Sequence, residues 1–147
     1  MQKAVASADD VPSDPVLRRI RIPLIRKAAL TRADGRVEEL FVIDLGLSGV
    51  FVERADALPP GEQVSLRFAL PGNEIPVQAA CRVAWWHPPG APLVSKSLPA
   101  GIGLEFVELS EHDRERVRSH LLEYLRSQLG PRRFHRQRLS GAEGEEP

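Results

Sequence analysis

The chain has 147 residues, 42% of them apolar, which is enough for one ordinary hydrophobic core. Its 20 basic and 20 acidic residues cancel, so no overall charge would draw the protein to nucleic acid or to anionic lipid. A lone cysteine, Cys81, excludes an internal disulfide, and no apolar run approaches the roughly 20 residues that span a bilayer. Because the first residues also lack the apolar core of a secretory signal, we expect a soluble, cytoplasmic, single-domain protein.

The two ends of the chain lack a pattern that could bury an apolar face. Residues 1–16 mix Ala, Ser, Asp and Pro without periodicity and are predicted to form a flexible arm. Residues 130–147 combine a basic run, Arg132 to Arg138, with a Gly/Glu-rich end, and are predicted to form a flexible tail. The folded domain is therefore expected at residues 17–129.

Alternation of apolar and polar residues dominates the central part of the chain, and this period of two predicts β-strands. Three strands are predicted at residues 22–31, 37–45 and 50–53. Three later strands are predicted from apolar side chains of one parity that point into the barrel. These are Val64, Leu66, Phe68 and Leu70 in the first, Ile75, Val77, Ala79, Cys81, Val83 and Trp85 in the second, and Ile102, Leu104 and Phe106 in the third. Turn sequences rich in Asp, Gly and Pro join the strands, so six strands in hairpin succession predict a mainly β, closed antiparallel sheet.

One amphipathic helix follows the strands. Ser110 with Asp113 three residues later resembles a capping box. Apolar residues recur at every fourth position from Val117 to Leu129, which predicts a stripe that packs on the barrel or on a partner. Gly130-Pro131 is a helix-ending pair, so the helix is predicted to stop there.

The side chains show no arrangement typical of an enzyme or a metal site. The four histidines have no Cys or His neighbours at the spacing of zinc ligands. Cys81 lies on the inward parity of its strand, which favours an inert core thiol over a nucleophile. The pair Gly101 and Gly103 lacks the third glycine and the following helix of a dinucleotide fingerprint. We therefore expect no catalytic residues and no metal ligands.

Three segments carry a family resemblance: Ile43 to Val52, Arg82-Val83-Ala84-Trp85, and Gly101 to Phe106. Together they resemble the PilZ family, a small bacterial β-barrel domain that serves as a receptor for cyclic di-GMP. The resemblance implies a six-stranded antiparallel PilZ-like β-barrel with a C-terminal α-helix. In that family an arginine motif, RxxxR, and a turn motif, (D/N)xSxxG, grip the nucleotide.

This chain matches the turn motif only in part. Asp44 and Gly49 stand at its first and last positions, but Gly46 stands where the family has serine. Ser48, two places on, either supplies a hydroxyl or is simply a turn residue. A shift of two residues along an extended segment moves a side chain by roughly 6 to 7 Å, which favours the second interpretation.

The arginine motif is also matched in part. Arg21, just before Ile22-Pro23, corresponds to the second arginine, and Leu17 stands where the first would be. Arg18 or Arg19 would substitute for it only after a local shift. The resemblance thus implies a degenerate ligand site made of Arg18, Arg19, Arg21, Asp44, Gly46, Ser48 and Gly49.

The resemblance implies a non-enzymatic signalling or adaptor protein that regulates motility, polarity or exopolysaccharide output through protein–protein contacts. Expected partners are bacterial signalling or motility proteins, with recruitment to a polar or membrane-associated complex but no membrane insertion. No cofactor is expected apart from cyclic di-GMP as a weak regulatory ligand. The alternative is a functional cyclic di-GMP receptor in which Arg18, Arg19 and Arg21 close over the ligand against Asp44 and Gly49. Nucleic-acid binding by the basic run is less favoured, because glutamates follow it.

Trp86 is the candidate partner contact. The parity of its strand predicts that Trp85 points into the barrel and Trp86 outward, beside a proline-rich loop from His87 to Pro99. Exposed tryptophans are favoured interface anchors. The other interpretation is that the loop or the helix folds over Trp86.

Overall fold

The computed structural model describes residues 14–90 and 99–142. Within these ranges the chain forms two helices and six strands, in the order α1 (Asp14–Leu17), β1 (Arg21–Thr31), β2 (Val37–Gly46), β3 (Gly49–Glu53), β4 (Gln63–Leu70), β5 (Asn73–His87), β6 (Gly101–Leu109) and α2 (Glu111–Ala142). Every paired strand is antiparallel, and the sheet closes in the order β1-β2-β3-β6-β5-β4. The predicted six-stranded barrel with a C-terminal helix is confirmed.

The alternating residues of the strands form the core of the barrel. In β4 the four apolar residues of one parity, from Val64 to Leu70, are all buried, while the residues between them are more exposed. The same core includes Leu17 from α1, and Val117 and Leu121 from α2. Leu17 of the first helix and Val117 and Leu121 of the last helix therefore pack against the barrel core.

Strand β5 departs from the predicted alternation at both ends. Val77 to Val83 alternate as expected, whereas Ile75 and Trp85, which were predicted to point inward, are exposed. A register shift between Val83 and Trp85 inserts one extra residue against β6 and reverses the parity after it. Pairing between β5 and β6 begins at Ala79. Ile75 precedes this residue, so it lies in a part of β5 that is not paired with β6.

Helix α2 is attached to β5 through its first turns. Ser110 caps the helix, since its Oγ accepts a hydrogen bond from the Asp113 backbone N–H at 3.0 Å. The Asp113 carboxylate accepts the Gln78 backbone N–H at 3.1 Å and Arg116 Nη1 at 2.9 Å. Arg116 also donates to the carbonyl oxygen of Ile75. The helix thereby satisfies backbone groups of β5 in the stretch that β6 leaves unpaired.

The prediction that Gly130-Pro131 ends the helix is wrong, because the backbone stays helical to Ala142. Proline removes one backbone donor, but the arginines, glutamine and leucine that follow are good helix formers. The predicted arm lies mostly outside the described residues, as do the end of the predicted tail and most of the loop before Pro99.

Candidate functional site

An ion pair between β1 and β2 forms the centre of the candidate site. Arg21 Nε and Nη2 donate to Asp44 Oδ1 at 2.9 and 2.6 Å, and Nη2 also reaches the Gly49 carbonyl oxygen at 3.4 Å. Antiparallel pairing positions these groups, because Arg21 lies opposite Gly46 and Pro23 opposite Asp44. The structure thus brings together three residues that the two motifs predicted.

Gly46 leaves room for the Arg21 guanidinium. A Cβ atom added at Gly46 would lie 3.2 Å from Arg21 Nη1 and 3.1 Å from the Ile20 carbonyl oxygen. A serine at this position would crowd the arginine in its observed place. Glycine at position 46 therefore leaves the space that the Arg21 side chain needs to fold back onto Asp44.

Leu17, which stands at the first arginine position of the family motif, belongs to the hydrophobic core. Its side chain is 0% exposed. A charged guanidinium here would be cut off from water, at a large cost in free energy. The chain therefore uses this position for packing.

Arg18 and Arg19 lie in the turn between α1 and β1, where Arg19 N–H donates to the Val16 carbonyl oxygen at 3.1 Å. Both side chains are exposed, and within the described residues neither has a hydrogen-bond or ion-pair partner. They lie on the same short segment as Arg21 but are not joined to Asp44 or Gly49.

Ser48 lies in the tight connection between β2 and β3, and Gly49 is the first residue of β3. Ser48 is exposed, and its carbonyl oxygen accepts the Phe106 backbone N–H at 2.8 Å. A Cβ atom at Gly49 would lie 2.0 Å from the Leu104 carbonyl oxygen, so glycine is required for the approach of β6. Gly49 therefore has a structural reason to be glycine that is independent of any ligand.

A cluster of aromatic rings covers the outer side of β6. Trp85 stacks on Phe51 with centroids 5.2 Å apart and an interplanar angle of 26°. His87 meets both rings edge-on at 6.4 Å. A Cβ atom on Gly103 would lie 1.9 Å from Trp85 Nε1, and one on Gly101 would lie 2.7 Å from the Phe51 ring. The two glycines thus give the aromatic rings a flat surface on the strand.

A cavity of about 200 Å³ lies between Trp85 and Arg21. Its lining residues include Arg21, Ser48, Gly49, Trp85, Gly103 and Glu105. Glu105 accepts a hydrogen bond from Arg82 Nη2 at 2.6 Å. Sequence reasoning missed Phe51, Trp85 and Glu105, although glycines at alternate positions of a strand are a signal that large rings lie across it.

The predicted orientations of the two tryptophans are reversed. Trp85 is 49% exposed, whereas Trp86 is partly buried and packs against the core. The physical reason is the register shift after Val83, which turns the strand over by one residue. The role of Trp86 as a partner contact stays a prediction, and the outward aromatic on this strand is Trp85.

The described residues contain no group of three or more His, Cys, Asp or Glu side chains that could hold a metal ion. Cys81 is fully buried, as predicted, and burial raises the pKa of its thiol to about 12. It therefore stays protonated and unreactive at neutral pH. Neither helix in the described ranges has the length and apolarity that crossing a bilayer requires.

Solved structures of other proteins share this fold. The inhibitor of motility MotI/DgrA of Bacillus subtilis aligns with a TM-score of 0.58 and 20% identity, over 76% of this chain and 50% of that one. This chain thus spans about half the length of that relative. The PilZ domain of YcgR from Escherichia coli, solved with c-di-GMP, aligns with a TM-score of 0.53 and 12% identity, over 74% of this chain and 90% of that one. No curated protein sequence matches this chain.

The family model of the PilZ domain matches residues 18–123. The match begins just before β1 and ends within α2, so it spans the whole barrel. It also includes Arg21, Asp44 and Gly49, which the structure brings into contact. The match covers well over half of the 147 residues, and the chain belongs to the PilZ family.

Proposed function

We propose that this PilZ domain is a non-enzymatic adaptor that regulates motility, polarity or exopolysaccharide output through protein partners, and that its binding of cyclic di-GMP is weak or lost. The observation that carries the proposal is the complete burial of Leu17, the residue at the first arginine position of the family motif. A residue inside the core cannot contact a ligand on the outside of the barrel.

The state of Arg21 supports the same proposal. Its guanidinium already satisfies Asp44 and lies over Gly46, where the family has a serine hydroxyl. A nucleotide would have to displace this contact and would find no hydroxyl at position 46. Both effects oppose ligand binding.

The expected loss of affinity is large. A hydrogen bond to a charged group contributes about 1.5 to 3 kcal/mol, and every 1.4 kcal/mol is about a factor of ten in the dissociation constant. The loss of one arginine contact and one hydroxyl contact therefore weakens binding by roughly two orders of magnitude or more.

The alternative function is that of a cyclic di-GMP receptor. It is favoured by the cavity beside Arg21 and Gly49 and by the exposed side chains of Arg18 and Arg19 on the segment that leads into β1. In this alternative the two arginines move onto the ligand together with Arg21, against Asp44.

Calorimetric titration with cyclic di-GMP distinguishes the two functions. For the adaptor we expect no saturable heat at tens of micromolar nucleotide, both for the wild type and for Arg21→Ala. Arg67→Ala is the matched control, because Arg67 is an exposed arginine on β4, outside the residues that line the cavity. A submicromolar dissociation constant that Arg21→Ala abolishes and Arg67→Ala leaves unchanged would establish the receptor instead.

A further inference from the structure

Trp85 presents a large aromatic ring in a fixed orientation at the surface. The ring is held by stacking on Phe51 and by contact with the backbone of Gly103, and Phe51 is itself 1% exposed. An exposed ring that is already ordered loses little conformational entropy when a partner covers it. This is the property of an interface anchor.

The cavity beside Trp85 has the size of one side chain. Sites for small molecules usually have volumes of roughly 300 to 1,000 Å³, and this cavity has about 200 Å³. Backbone at Gly49 and Gly103 forms part of its lining, and Trp85 and Arg21 are also among its lining residues. A single aromatic or aliphatic side chain from a partner would fill it, as anchor residues fill pockets in protein interfaces.

The end of the cavity at Arg21 carries an excess of positive charge, whereas the exposed carboxylate of Glu53 lies on β3 opposite Gly101, towards the other end. On one side Arg82 and Glu105 form an ion pair and neutralise each other. On the other side Arg21 is neutralised by Asp44, but Arg18 and Arg19 have no acidic partner among the described residues. A residue spans at most about 3.6 Å of chain, so both arginines lie within about 11 Å of Arg21 along the backbone. At this end of the cavity the two unpaired arginines favour carboxylates on the partner.

From this geometry we propose that the cavity at Trp85 is the docking site for an acidic segment of a partner protein. The segment inserts one aromatic or aliphatic side chain against Trp85 and sets carboxylates against Arg18 and Arg19. The inference rests on the proposed adaptor function and names the chemistry of the partner. Because Arg21 and Gly49 line the same cavity, a bound segment and a cyclic dinucleotide would exclude each other.

Selection from a phage library of short random peptides tests this proposal. The wild-type protein is the bait, and Trp85→Ala is used for counter-selection. We expect enriched peptides to share one aromatic or aliphatic residue flanked by Asp and Glu. The dissociation constant of the best synthetic peptide is then measured by fluorescence anisotropy.

Matched variants identify the surface that the peptide occupies. Trp85→Ala and the double variant Arg18→Ala/Arg19→Ala should each weaken binding at least about tenfold. Phe41→Ala removes another half-exposed aromatic and Arg67→Ala another exposed arginine, and both should stay within about twofold of the wild type. The double variant changes exposed residues only, so it is informative even if Trp85→Ala destabilises the barrel.

Enriched peptides without net negative charge, an absence of enrichment, or equal binding by the wild type and the arginine double variant would overturn the docking site. The nucleotide titration is a separate measurement. Tight binding of cyclic di-GMP would refute the weak-ligand part of the proposed function, whereas the peptide data alone decide the docking site.

Discussion

The indole of Trp85 occupies the space that a side chain on Gly103 would need. The two residues face each other across the β5–β6 ladder, and a Cβ atom at 103 would come within 1.9 Å of Nε1 and 2.4 Å of Cδ1. The three nearest atoms all belong to the Trp85 ring. Glycine at 103 is therefore a condition for the position of the tryptophan, and through it for the shape of the cavity.

The first prediction concerns this pair. Gly103→Ala should displace the indole and lower the free energy of unfolding by about 1 to 3 kcal/mol, the usual cost of overpacking. Denaturant unfolding of the single variant and of Gly103→Ala/Trp85→Ala measures the coupling, and the cost of the alanine should fall once the ring is gone. If Gly103→Ala cost the same unfolding free energy in the wild type and in Trp85→Ala, the contact between position 103 and the indole would be contradicted.

The sequence predicted most of the barrel because burial of one strand face imposes a period of two. That argument holds for all of β4 and for β5 between Val77 and Val83. It fails at Trp85, because a β-bulge adds a residue without any mark in the hydrophobic pattern. Parity therefore predicts side-chain orientation only up to the next bulge.

The site was only partly predictable for a different reason. The motif residues Arg21, Asp44 and Gly49 are brought together as the resemblance suggested. A motif alignment, however, cannot reveal whether a replacement such as Leu17 faces the ligand side or the core. That depends on how α1 packs, which no local pattern in the sequence specifies.

The second prediction tests the placement of Leu17. Leu17→Ala should cost about 2 to 5 kcal/mol of unfolding free energy, since it leaves a cavity in the core. Leu17→Arg should destabilise the fold by more, and should not create binding of cyclic di-GMP, because the charge would be buried without a partner.

Val16→Ala is the control for this pair, because Val16 is the exposed neighbour on the same helix and should change stability by less than about 0.5 kcal/mol. Unfolding in urea gives all three values. A Leu17→Arg variant that is as stable as the wild type would place position 17 at the surface.

The third prediction concerns acid stability. Arg32 donates to both carboxylate oxygens of Glu62, and Arg54 to both of Glu38. These hydrogen bonds hold the pKa of each carboxyl below its ordinary value of 4.5. The unfolded chain then binds protons more readily than the folded one. The free energy of unfolding therefore rises with pH between the folded-state pKa values and the ordinary value of 4.5. The contribution is complete above pH 4.5 and is lost as the pH falls through the folded-state pKa values.

Glu62→Gln should accordingly lower the melting temperature at neutral pH, and its difference from the wild type should shrink as the pH is taken below 4.5. Glu74→Gln is the control, since Glu74 is exposed and has no ion pair among the described residues. Thermal unfolding monitored by circular dichroism across this pH range provides the comparison. A difference for Glu62→Gln that is independent of pH would refute the linkage.

The fourth prediction concerns the attachment of α2. Asp113→Ala removes the acceptor of the Gln78 backbone N–H and of Arg116 Nη1, which should cost about 1 to 3 kcal/mol because a backbone donor loses its partner. Hydrogen exchange at the Gln78 amide should accelerate. Glu111→Gln, in the same helical turn, should change stability by only a few tenths of a kcal/mol. Unchanged exchange at Gln78 in Asp113→Ala would mean that the Asp113 carboxylate does not protect this amide.

The last prediction separates the two adjacent tryptophans. Trp85 is half exposed on the outer face, while Trp86 packs against the core, so Trp86→Phe leaves an accessible indole and Trp85→Phe leaves a shielded one. Acrylamide should therefore quench the fluorescence of Trp86→Phe more strongly than that of Trp85→Phe. Trp86→Ala should also cost more unfolding free energy than Trp85→Ala, because more of its contacts are with the core. The opposite order of quenching would show that Trp86, and not Trp85, points outward. The docking site would then have to lie away from the cavity beside Arg21, since its anchor would no longer face that cavity.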